Sequence, residues 1–569
     1  MAMAQVVPGV TSDIAWATPM GTLRAVRGLN IRWRLGQLET LGLFGRLRNL
    51  AGEQLSVPLI NNVPVRAVYT SSFGGGVQIL AGSANAVWLI DVDPGSTTEG
   101  GNRYRVTQLG TGSLEPSADD SLPSPSRKRT VIAPVWWFAE IDDVIIGQRA
   151  GVDESPRAWD RESSSLFEPL KAYADEDDLG DPTGEAPKRA VAAGILGRIL
   201  ILLGAEQFGV DDPGNWRLSV RWSARRNFEL WDPTIAIDPV TGDANTSGGL
   251  LLDGGSRIMG GGLCSFGVVV WTDRNMAMLN ETGQLATVIG RTYIDGARGL
   301  LANNAWCDAD GQLWWLDENR VLNVFDGGRP RQIPNPMRRG TIDRVNETAA
   351  ARIYIEPNPE FSEIIIWYPA DESFECNRAM VYNYLEDAWS IWGLNRSAWA
   401  PRAGFQETVG VALGGQVFGH DLGPSCPSAY RPDAIPEALG PGTGCGDGDL
   451  IASDLVEPIV GFVEFAPMVL DGMGTLTHSS TRLTMDWLPS PAAGAESDTL
   501  DVTAFAFREI SVRSQAFSEQ QEWTQNDTRV DYRVGGRAVG IRVEFEDIKS
   551  VYRLGLVDVA GSDSDGGER

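Results

Sequence analysis

Short runs of β-branched and aromatic residues, separated by polar turns, recur along the middle of the chain. Residues 268–271 (VVVW) lead through TDRN to residues 276–279 (MAML), and residues 313–316 (LWWL) lead through DENR to residues 321–325 (VLNVF). A further run at 381–385 (VYNYL) leads through a Glu-Asp turn to a WSIW segment. Runs of this length, bounded by Asp, Asn, Gly and Pro, are typical of β-hairpins. Their succession predicts antiparallel sheets arranged radially, as in a β-propeller.

Hairpin signals of the same kind extend the predicted propeller in both directions. They occur at 63–92, 131–152 and 409–418, which places a propeller core at residues 63–422 with long insertion loops at 111–130 and 153–187. The apolar run at 190–203 fits either a buried helix or strands, and its ILILL segment favours a strand. The fold class is therefore mainly β, with a propeller-like core of antiparallel hairpin blades.

The flanks of this core read as further β structure. Residues 1–62 form a predicted N-terminal β segment, and residues 423–450 a Pro- and Gly-rich loop. Residues 451–560 form a predicted C-terminal β domain or platform, because apolar and polar residues alternate with a period of two in several runs, including 502–507. The tail at 561–569 is small and acidic, and we expect it to be disordered.

The composition fits a folded protein and limits its partners. Hydrophobic residues make up 43% of the 569, and the formal net charge is −27. Such a charge argues against a protein that holds nucleic acid by its phosphates, although it does not exclude one that nucleic acid slides past. The most apolar stretch, 190–205, is shorter than the roughly 20 residues of a spanning helix and contains Arg198. No signal-peptide pattern is visible at 1–10. We expect a soluble chain without a membrane-spanning segment.

Five cysteines at irregular spacing do not form a disulfide framework. Cys264, Cys307 and Cys376 lie in or near apolar strands, which predicts buried thiols. Cys426 and Cys445 bracket the Pro- and Gly-rich loop, and the sequence leaves open whether they pair.

Residues that carry catalysis in other proteins are sparse in this chain. Its two histidines, His420 and His478, read as turn residues rather than as bases or zinc ligands. The four carboxylates at 175–178 are consecutive, unlike a calcium loop. No Gly-x-Ser-x-Gly elbow and no glycine-rich phosphate loop occurs. We predict no catalytic, cofactor-binding or metal-binding residues, and no cofactor.

Adjacent aromatic residues recur as Trp136-Trp137, Trp314-Trp315 and Trp367-Tyr368. Such pairs can stack on sugars. Neighbouring residues of a strand, however, point to opposite faces of the sheet, which predicts that one member packs within its blade and the other against a neighbouring blade.

Several of these segments also carry a family resemblance through their order and spacing. They are RWS at 221–223 with WDP at 231–233, VWTD at 270–273, Gly311 followed by Trp314-Trp315, FDGG at 325–328, WYP at 367–369, and YNYLEDAWS at 382–390. Together they resemble the tail nozzle (tail tubular protein B-like) proteins of short-tailed bacteriophages, the podoviruses. The resemblance covers residues 215–402, and the flanks loosely.

The resemblance implies a structural virion protein without catalytic activity. Such a chain would be made in the host cytoplasm and would form a hexameric ring that continues the DNA channel below the head-to-tail adaptor. The implied partners are five further copies, the adaptor, and tail fibre or spike proteins, while DNA passes without sequence-specific binding. Six copies would carry a formal charge of −162 (6 × −27). The resemblance also implies that the first and last segments of the chain share a sheet.

A propeller can also carry an enzyme or a carbohydrate-binding module. A glycoside hydrolase on this scaffold needs two carboxylates at a fixed separation in a cleft. Asp142-Asp143 and Glu386-Asp387 read as turn residues, so the sequence does not identify such a pair. This alternative predicts a pocket on the propeller axis with converging carboxylates and an exposed Trp.

Overall fold

The computed structural model describes most of the chain, with gaps in loops and at both ends. The described residues are 2–10, 18–19, 22–41, 43–46, 56–57, 64–73, 76–92, 104–110, 135–161, 166–173, 182, 184–209, 215–284, 287–400, 408–412, 415–422, 456–457, 461–465, 468–469, 475–487, 499–507, 517–524, 530–536, 538–545 and 552–564.

Six strands precede the propeller: β1 (Ala2–Val10), β2 (Thr18–Pro19), β3 (Thr22–Leu29), β4 (Ile31–Arg34), β5 (Gln37–Thr40) and β6 (Leu43–Arg46). The β4–β5 hairpin lies against the propeller. The Arg32 guanidinium and the Glu363 carboxylate form a buried bidentate pair, with Nε to Oε1 at 3.0 Å and Nη2 to Oε2 at 3.1 Å. The backbone N–H of Asn30 also donates to the Ile391 carbonyl at 2.8 Å. These bonds fix the N-terminal hairpin to the body of the fold.

Six consecutive four-stranded antiparallel sheets form the first six blades. Blade 1 contains β7 (Val65–Phe73), β8 (Gly76–Ser83), β9 (Val87–Val92) and β10 (Tyr104–Leu109). Blade 2 contains β11 (Trp136–Ile141), β12 (Val144–Arg149), β13 (Arg157–Asp160) and β14 (Glu168–Pro169), and a two-stranded ribbon of β15 (Lys171–Ala172) and β16 (Gly184–Glu185) follows it.

Blade 3 contains β17 (Ala192–Leu196), β18 (Ile199–Leu203), β19 (Ser219–Trp222) and β20 (Gly248–Leu251). Blade 4 contains β21 (Ile258–Cys264), β22 (Gly267–Thr272), β23 (Met276–Gln284) and β24 (Thr287–Tyr293). Blade 5 contains β25 (Trp306–Ala309), β26 (Gln312–Leu316), β27 (Leu322–Phe325) and β28 (Arg331–Ile333). Blade 6 contains β29 (Tyr354–Asn358), β30 (Glu363–Tyr368), β31 (Arg378–Asn383) and β32 (Ala388–Trp392). Short 3-10 helices span Asn215–Leu218, Arg338–Gly340, Ile342–Arg344, Glu347–Arg352 and Pro359–Phe361.

The seventh blade combines strands from three parts of the chain. It contains β33 (Ala398–Ala400), β34 (Thr408–Val411) and β35 (Val417–Leu422), then β6 from the start of the chain, and β36 (Val456–Glu457) at its edge. The strand β6 is antiparallel to both of its neighbours, with Gly45 opposite Gly419 on one side and Val456 on the other. The first strand of each blade lies innermost, and β33 contacts β7, which closes the circle. The described residues therefore form a closed seven-bladed propeller, which confirms the predicted fold class.

A thirteen-stranded sheet packs beside the propeller and contains both ends of the chain. Its C-terminal strands are β37 (Gly461–Phe465), β38 (Met468–Val469), β39 (Thr475–Trp487), β40 (Thr499–Phe507), β41 (Phe517–Thr524), β42 (Val530–Gly536), β43 (Ala538–Phe545) and β44 (Tyr552–Ser564). They are joined by β1 to β5. The strand β1 is antiparallel to β44, and β3 is antiparallel to β37.

Three sequence-based boundaries differ from the structure. The strand β6 lies within the predicted N-terminal segment 1–62 but belongs to the seventh blade. The stretch 153–187, expected to be an insertion, supplies β13 and β14 of blade 2, because Trp159 and Phe167 are buried in the core shared with blade 1. The tail expected to be disordered from residue 561 continues β44 as far as Ser564.

The apolar stretch at 190–203 forms a hairpin. Residues 190–203 contain the β17–β18 hairpin, with Gly197 and Arg198 in the left-handed conformation its turn requires. The helix alternative for this stretch is therefore wrong. The loops 111–130 and 423–450, with Cys426 and Cys445, lie outside the described residues.

Candidate functional site

A cavity of about 480 Å³ lies on the propeller axis. Every one of the seven innermost strands contributes to its wall. Three consecutive glycines make the wall thin at β21, where a Cβ on Gly262 would lie 3.0 Å from the Trp306 ring. Trp306 thereby reaches the cavity and stays partly exposed there. The axis of the propeller is thus a solvent-accessible site walled by backbone edges and aromatic side chains.

Glu140 lies near the C-terminal ends of the innermost strands, where its carboxylate is paired with an arginine. The buried Arg161 guanidinium donates to Glu140 Oε1 and to Ser71 Oγ, each at 2.6 Å. The Ser71 hydroxyl donates to Glu140 Oε2 at 2.5 Å, and the Tyr69 hydroxyl lies 3.5 Å from the same oxygen. Burial, followed by the charge of Glu140, raises the pKa of Tyr69 well above its usual range, so this phenol stays protonated.

A second charged cluster lies at the N-terminal ends of the innermost strands. Arg66 and Arg352 both donate to the carboxylate of Glu375, and Arg66 Nη2 lies 2.9 Å from Glu375 Oε1. Burial alone would raise the pKa of Glu375, but the hydrogen bond and charge of Arg66, together with the charge of Arg352, hold it below its usual value. The carboxylate of Glu375 is therefore paired within the protein, with two arginines.

Glu356 differs from these carboxylates because nothing neutralises it. It lies on β29, lines the cavity and is partly exposed there. No hydrogen bond or ion pair reaches its carboxyl group from the residues that the structure describes. Burial raises the pKa of Glu356 from 4.5 to about 8. The charge of Glu356 adds to burial in raising the pKa of the neighbouring Cys307 thiol.

We expect this carboxyl group to make folding stability fall as the pH rises from about 4.5 to about 8. In that window the folded protein retains a proton on Glu356 that the unfolded chain releases, so each step in pH favours the unfolded chain. Glu356→Gln should remove this component and stabilise the protein at pH 8 by roughly 1–2 kcal/mol, less than the full pKa difference implies because cavity water screens the charge.

Urea denaturation of the wild type and the variant at pH 5 and pH 8 measures this effect. Glu318→Gln, which removes one charge from an exposed position, is the matched control. An equal change in stability at both pH values for Glu356→Gln would show that Glu356 is ionised in both states.

The adjacent aromatic residues are buried and connect neighbouring blades, as predicted. Trp314 of blade 5 packs against Tyr382 of blade 6 with ring centroids 5.8 Å apart. The next residue, Trp315, packs against Trp271 of blade 4 at 5.9 Å. The two rings thus lie on opposite faces of the same strand and contact different neighbouring blades. Two further pairs, Trp136-Trp137 and Trp367-Tyr368, likewise divide between different core clusters.

The other residues considered from the sequence hold structural positions. Cys264, Cys307 and Cys376 are buried free thiols, as predicted, and burial raises the pKa of Cys264 to about 11. His420 lies within β35 and His478 within β39, so the expectation of turn positions is wrong for both.

The carboxylate pairs considered for glycoside hydrolysis do lie in turns, one pair at 142–143 and the other at 386–387. Within the described ranges, no group of three or more His, Cys, Asp or Glu residues is arranged to hold a metal ion.

Glu356 was missed by reasoning from the sequence. It stands in the run YIEPN at 354–358, where a single acid among apolar residues of a strand is the only local signal. Because the chain contains 75 acidic residues, that signal does not separate Glu356 from the many acids that end strands or occupy turns. Its position on the axis depends on strands from all seven blades.

Comparisons with known proteins find likeness only at the level of shape. No protein family matches the sequence, and no curated protein is significantly similar to it. Similar solved structures include the computationally designed Ika8 protein, at 12% identity over 66% of this chain and 99% of that one, with a TM-score of 0.33. The AztD protein of Citrobacter koseri follows at 10% identity, 63% and 95% coverage, and a TM-score of 0.28.

The WD40 domain of a coronin from Toxoplasma gondii is 10% identical over 72% of this chain and 90% of that domain, with a TM-score of 0.31. Likeness of this size carries no argument about function. Among the described residues, no helix is both long and apolar enough to cross a membrane.

Proposed function

We propose that the chain is a subunit of a bacteriophage tail nozzle, a ring that forms the distal part of the DNA ejection channel below the head-to-tail adaptor. The hairpin pattern in residues 221–402, which resembles tail nozzle proteins, carries this proposal. Three of its segments lie at strand ends in successive blades, two on second strands and one on a third strand. The segments at 270–273, 325–328 and 367–369 run from the ends of β22, β27 and β30 into the turns that follow. The pattern therefore follows the strands and turns of blades 4 to 6.

The charge of the chain suits a conduit for DNA. Attraction between phosphates and Lys or Arg is what holds DNA on a protein surface, and this chain carries 75 acidic against 48 basic residues. A ring of six copies repels the DNA backbone and lets it pass without adhering. A lumen lined mainly by arginine would contradict this part of the proposal.

Two exposed leucines offer a surface for contact between subunits. Leu35 in the β4–β5 turn is 78% exposed, and Leu385 in the β31–β32 turn is 76% exposed. The backbone N–H of Gly36 donates to Glu386 Oε2 at 3.2 Å and ties the two turns together. Leu35 also adopts a left-handed conformation with φ of 52°, which is unfavourable for a bulky residue. A strained, exposed apolar side chain on a fixed turn fits a place in an interface.

We expect the double variant Leu35→Asp/Leu385→Asp to fold and to lose ring assembly, because two charges then replace the apolar contact between copies. Light scattering after size exclusion, alone and with the adaptor protein of the same phage, measures the result. Six copies of 61.6 kDa give a ring of about 370 kDa for the wild type. The exposed Val240→Asp, on a different loop, serves as the control.

Negative-stain images should show a six-fold ring with a channel. A wild-type chain that stays at the mass of a monomer, both alone and with the adaptor, would contradict the nozzle proposal itself. A wild-type ring that the double variant also forms would contradict only the assignment of the leucines.

The axial cavity favours one second candidate, a carbohydrate-binding module or glycoside hydrolase. Glu140, Asp308 and Glu356 line the cavity together with the partly exposed Trp306. Asp308, however, accepts hydrogen bonds from the Ser265 backbone and hydroxyl at 2.6 and 2.7 Å, and Glu140 is held by Arg161. If the wild type hydrolyses a sugar substrate and both Glu356→Gln and Glu140→Gln lose this activity, the glycoside hydrolase candidate is established. If the wild type hydrolyses none, that candidate is rejected.

A further inference from the structure

The carboxyl group of Glu356 is the feature of the axial cavity that the fold leaves unexplained. The other carboxylates of the wall have partners, since Glu140 pairs with Arg161, and Asp308 accepts from Ser265. Arg66, which also lines the cavity, is bound to Glu375. Glu356 has no such partner in the part of the chain that the structure describes. A buried carboxylate without a counter-charge is costly, and an outside cation can supply that charge.

The wall around Glu356 supplies further features that a cation prefers. Tyr69, Phe138 and Trp306 line the same cavity, and each is partly exposed there. Aromatic faces attract cations through their quadrupole, most strongly where the site is poorly hydrated. Ile195 and Leu263 add apolar surface. The cavity volume of about 480 Å³ falls in the range of small-molecule sites, roughly 300–1,000 Å³.

We propose that the axial cavity binds a small organic cation with an apolar body, a primary ammonium compound, whose ammonium group pairs with the Glu356 carboxylate while the aromatic wall covers the rest. This site is independent of the nozzle proposal, because it lies inside one propeller and needs no second copy.

Other ligand classes fit the same wall less well. A bare metal ion needs several oxygen, nitrogen or sulfur ligands, and no such group is found among the described residues. An anionic ligand would be repelled by the Glu356 carboxylate, because an anion site needs a positive charge or a hydrogen-bond donor at that place. A sugar needs several converging hydrogen-bonding groups, whereas Glu140, Asp308 and Arg66 are already engaged. One unpaired carboxylate and an aromatic wall match one ammonium group.

Binding should be linked to release of a proton. Glu356 must ionise in order to pair with the ammonium group, so affinity should rise with pH up to the pKa of the carboxyl group, about 8. The other titratable groups of the wall are Arg66 and Tyr69 on β7, Glu140 on β11, Cys307 and Asp308 on β25, and Tyr354 on β29. The lining residues of β17, β21 and β33 carry no titratable side chain.

Calorimetric titration of the purified full-length chain with benzylamine tests the site. We expect binding at pH 8 and a weaker affinity at pH 6, with a proton release that is visible when buffers of different ionisation enthalpy are compared. Benzyl alcohol, which has the same ring and no charge, should not bind. Glu356→Gln should weaken benzylamine binding by at least about tenfold, and Trp306→Ala by a smaller factor. Glu318→Gln should bind like the wild type.

Three results would overturn the proposal. They are the absence of benzylamine binding up to about 10 mM, equal binding of benzyl alcohol, and unchanged affinity in Glu356→Gln. Far-ultraviolet circular dichroism of each variant checks that the propeller is folded. Should Trp306→Ala fail to fold, Trp306→Phe keeps an aromatic face and should retain most of the affinity.

Discussion

Glu363→Ala is expected to lower the free energy of unfolding by about 3–5 kcal/mol. Glu363 and Arg32 each expose only 1% of their side chains, and they form two parallel hydrogen bonds. The Asn358 amide donates a third bond to Glu363 at 3.0 Å, and the Phe361 ring lies 3.6 Å from the Arg32 guanidinium carbon. Removal of the carboxylate would take both of these hydrogen bonds and the paired negative charge away from a guanidinium group that stays buried. The N-terminal hairpin should separate from blade 6 first.

An exposed pair of similar geometry provides the control for this result. Arg338 Nε lies 3.0 Å from Asp343 Oδ1, but both side chains are about two-fifths exposed. Asp343→Ala should therefore cost no more than about 1 kcal/mol. Urea denaturation of both variants measures the difference. The double variant Arg32→Met/Glu363→Leu should recover much of the loss, because both charges of the pair are then replaced by apolar groups. Equal losses in Glu363→Ala and Asp343→Ala would contradict the argument from burial.

Gly45→Pro is expected to open the seventh blade at a cost of about 3 kcal/mol or more. Gly45 lies in the middle of β6, which is paired on both sides, with β35 and with β36. A proline at this position has no N–H to donate to the ladder, and such residues are confined to edge strands and bulges. Blade 7 would then lose the strand that joins β35 to β36.

Hydrogen exchange measured by mass spectrometry locates this effect. Peptides from the seventh blade, 408–422, should lose protection in Gly45→Pro, whereas peptides from blade 5, 306–333, should keep it. Gly45→Ala retains the N–H, so the difference between the two variants isolates the lost hydrogen bond and the proline ring. Uniform loss of protection in all blades would show that the propeller opens as one unit.

The blades in the middle of the chain were predictable because their signals are local. The hairpin of β22 and β23 joins Val268 to Leu279 across a short turn, and alternation of buried residues is readable within the segment itself. The turns were predictable for the same reason. Asp310 and Gly311 both adopt positive φ, as a two-residue hairpin turn requires. These elements depend on few residues outside the hairpin.

The parts that the sequence did not predict depend on distant partners. β6 has four residues, and only its pairing with residues more than 370 positions later makes it a blade strand. β13 reads RAWD, where Trp159 is the only fully buried residue. The isolation of Glu356 depends on which charged groups the other blades place along the axis. The hexameric ring, the adaptor and the fibre contacts stay predictions.

The pairing of β1 with β44 sets conditions on how the protein is made. Residues 2–5 find their partners at 556–559, and β6 finds its own at 418–422 and 456–457. β1 and β6 are therefore translated hundreds of residues before these partners, and each has an open hydrogen-bonding edge in the meantime. Unpaired strand edges invite association with other chains. We expect ribosome-bound chains that end before residue 398 to lack the β33–β7 contact, to carry an open ring of blades and to need chaperone protection.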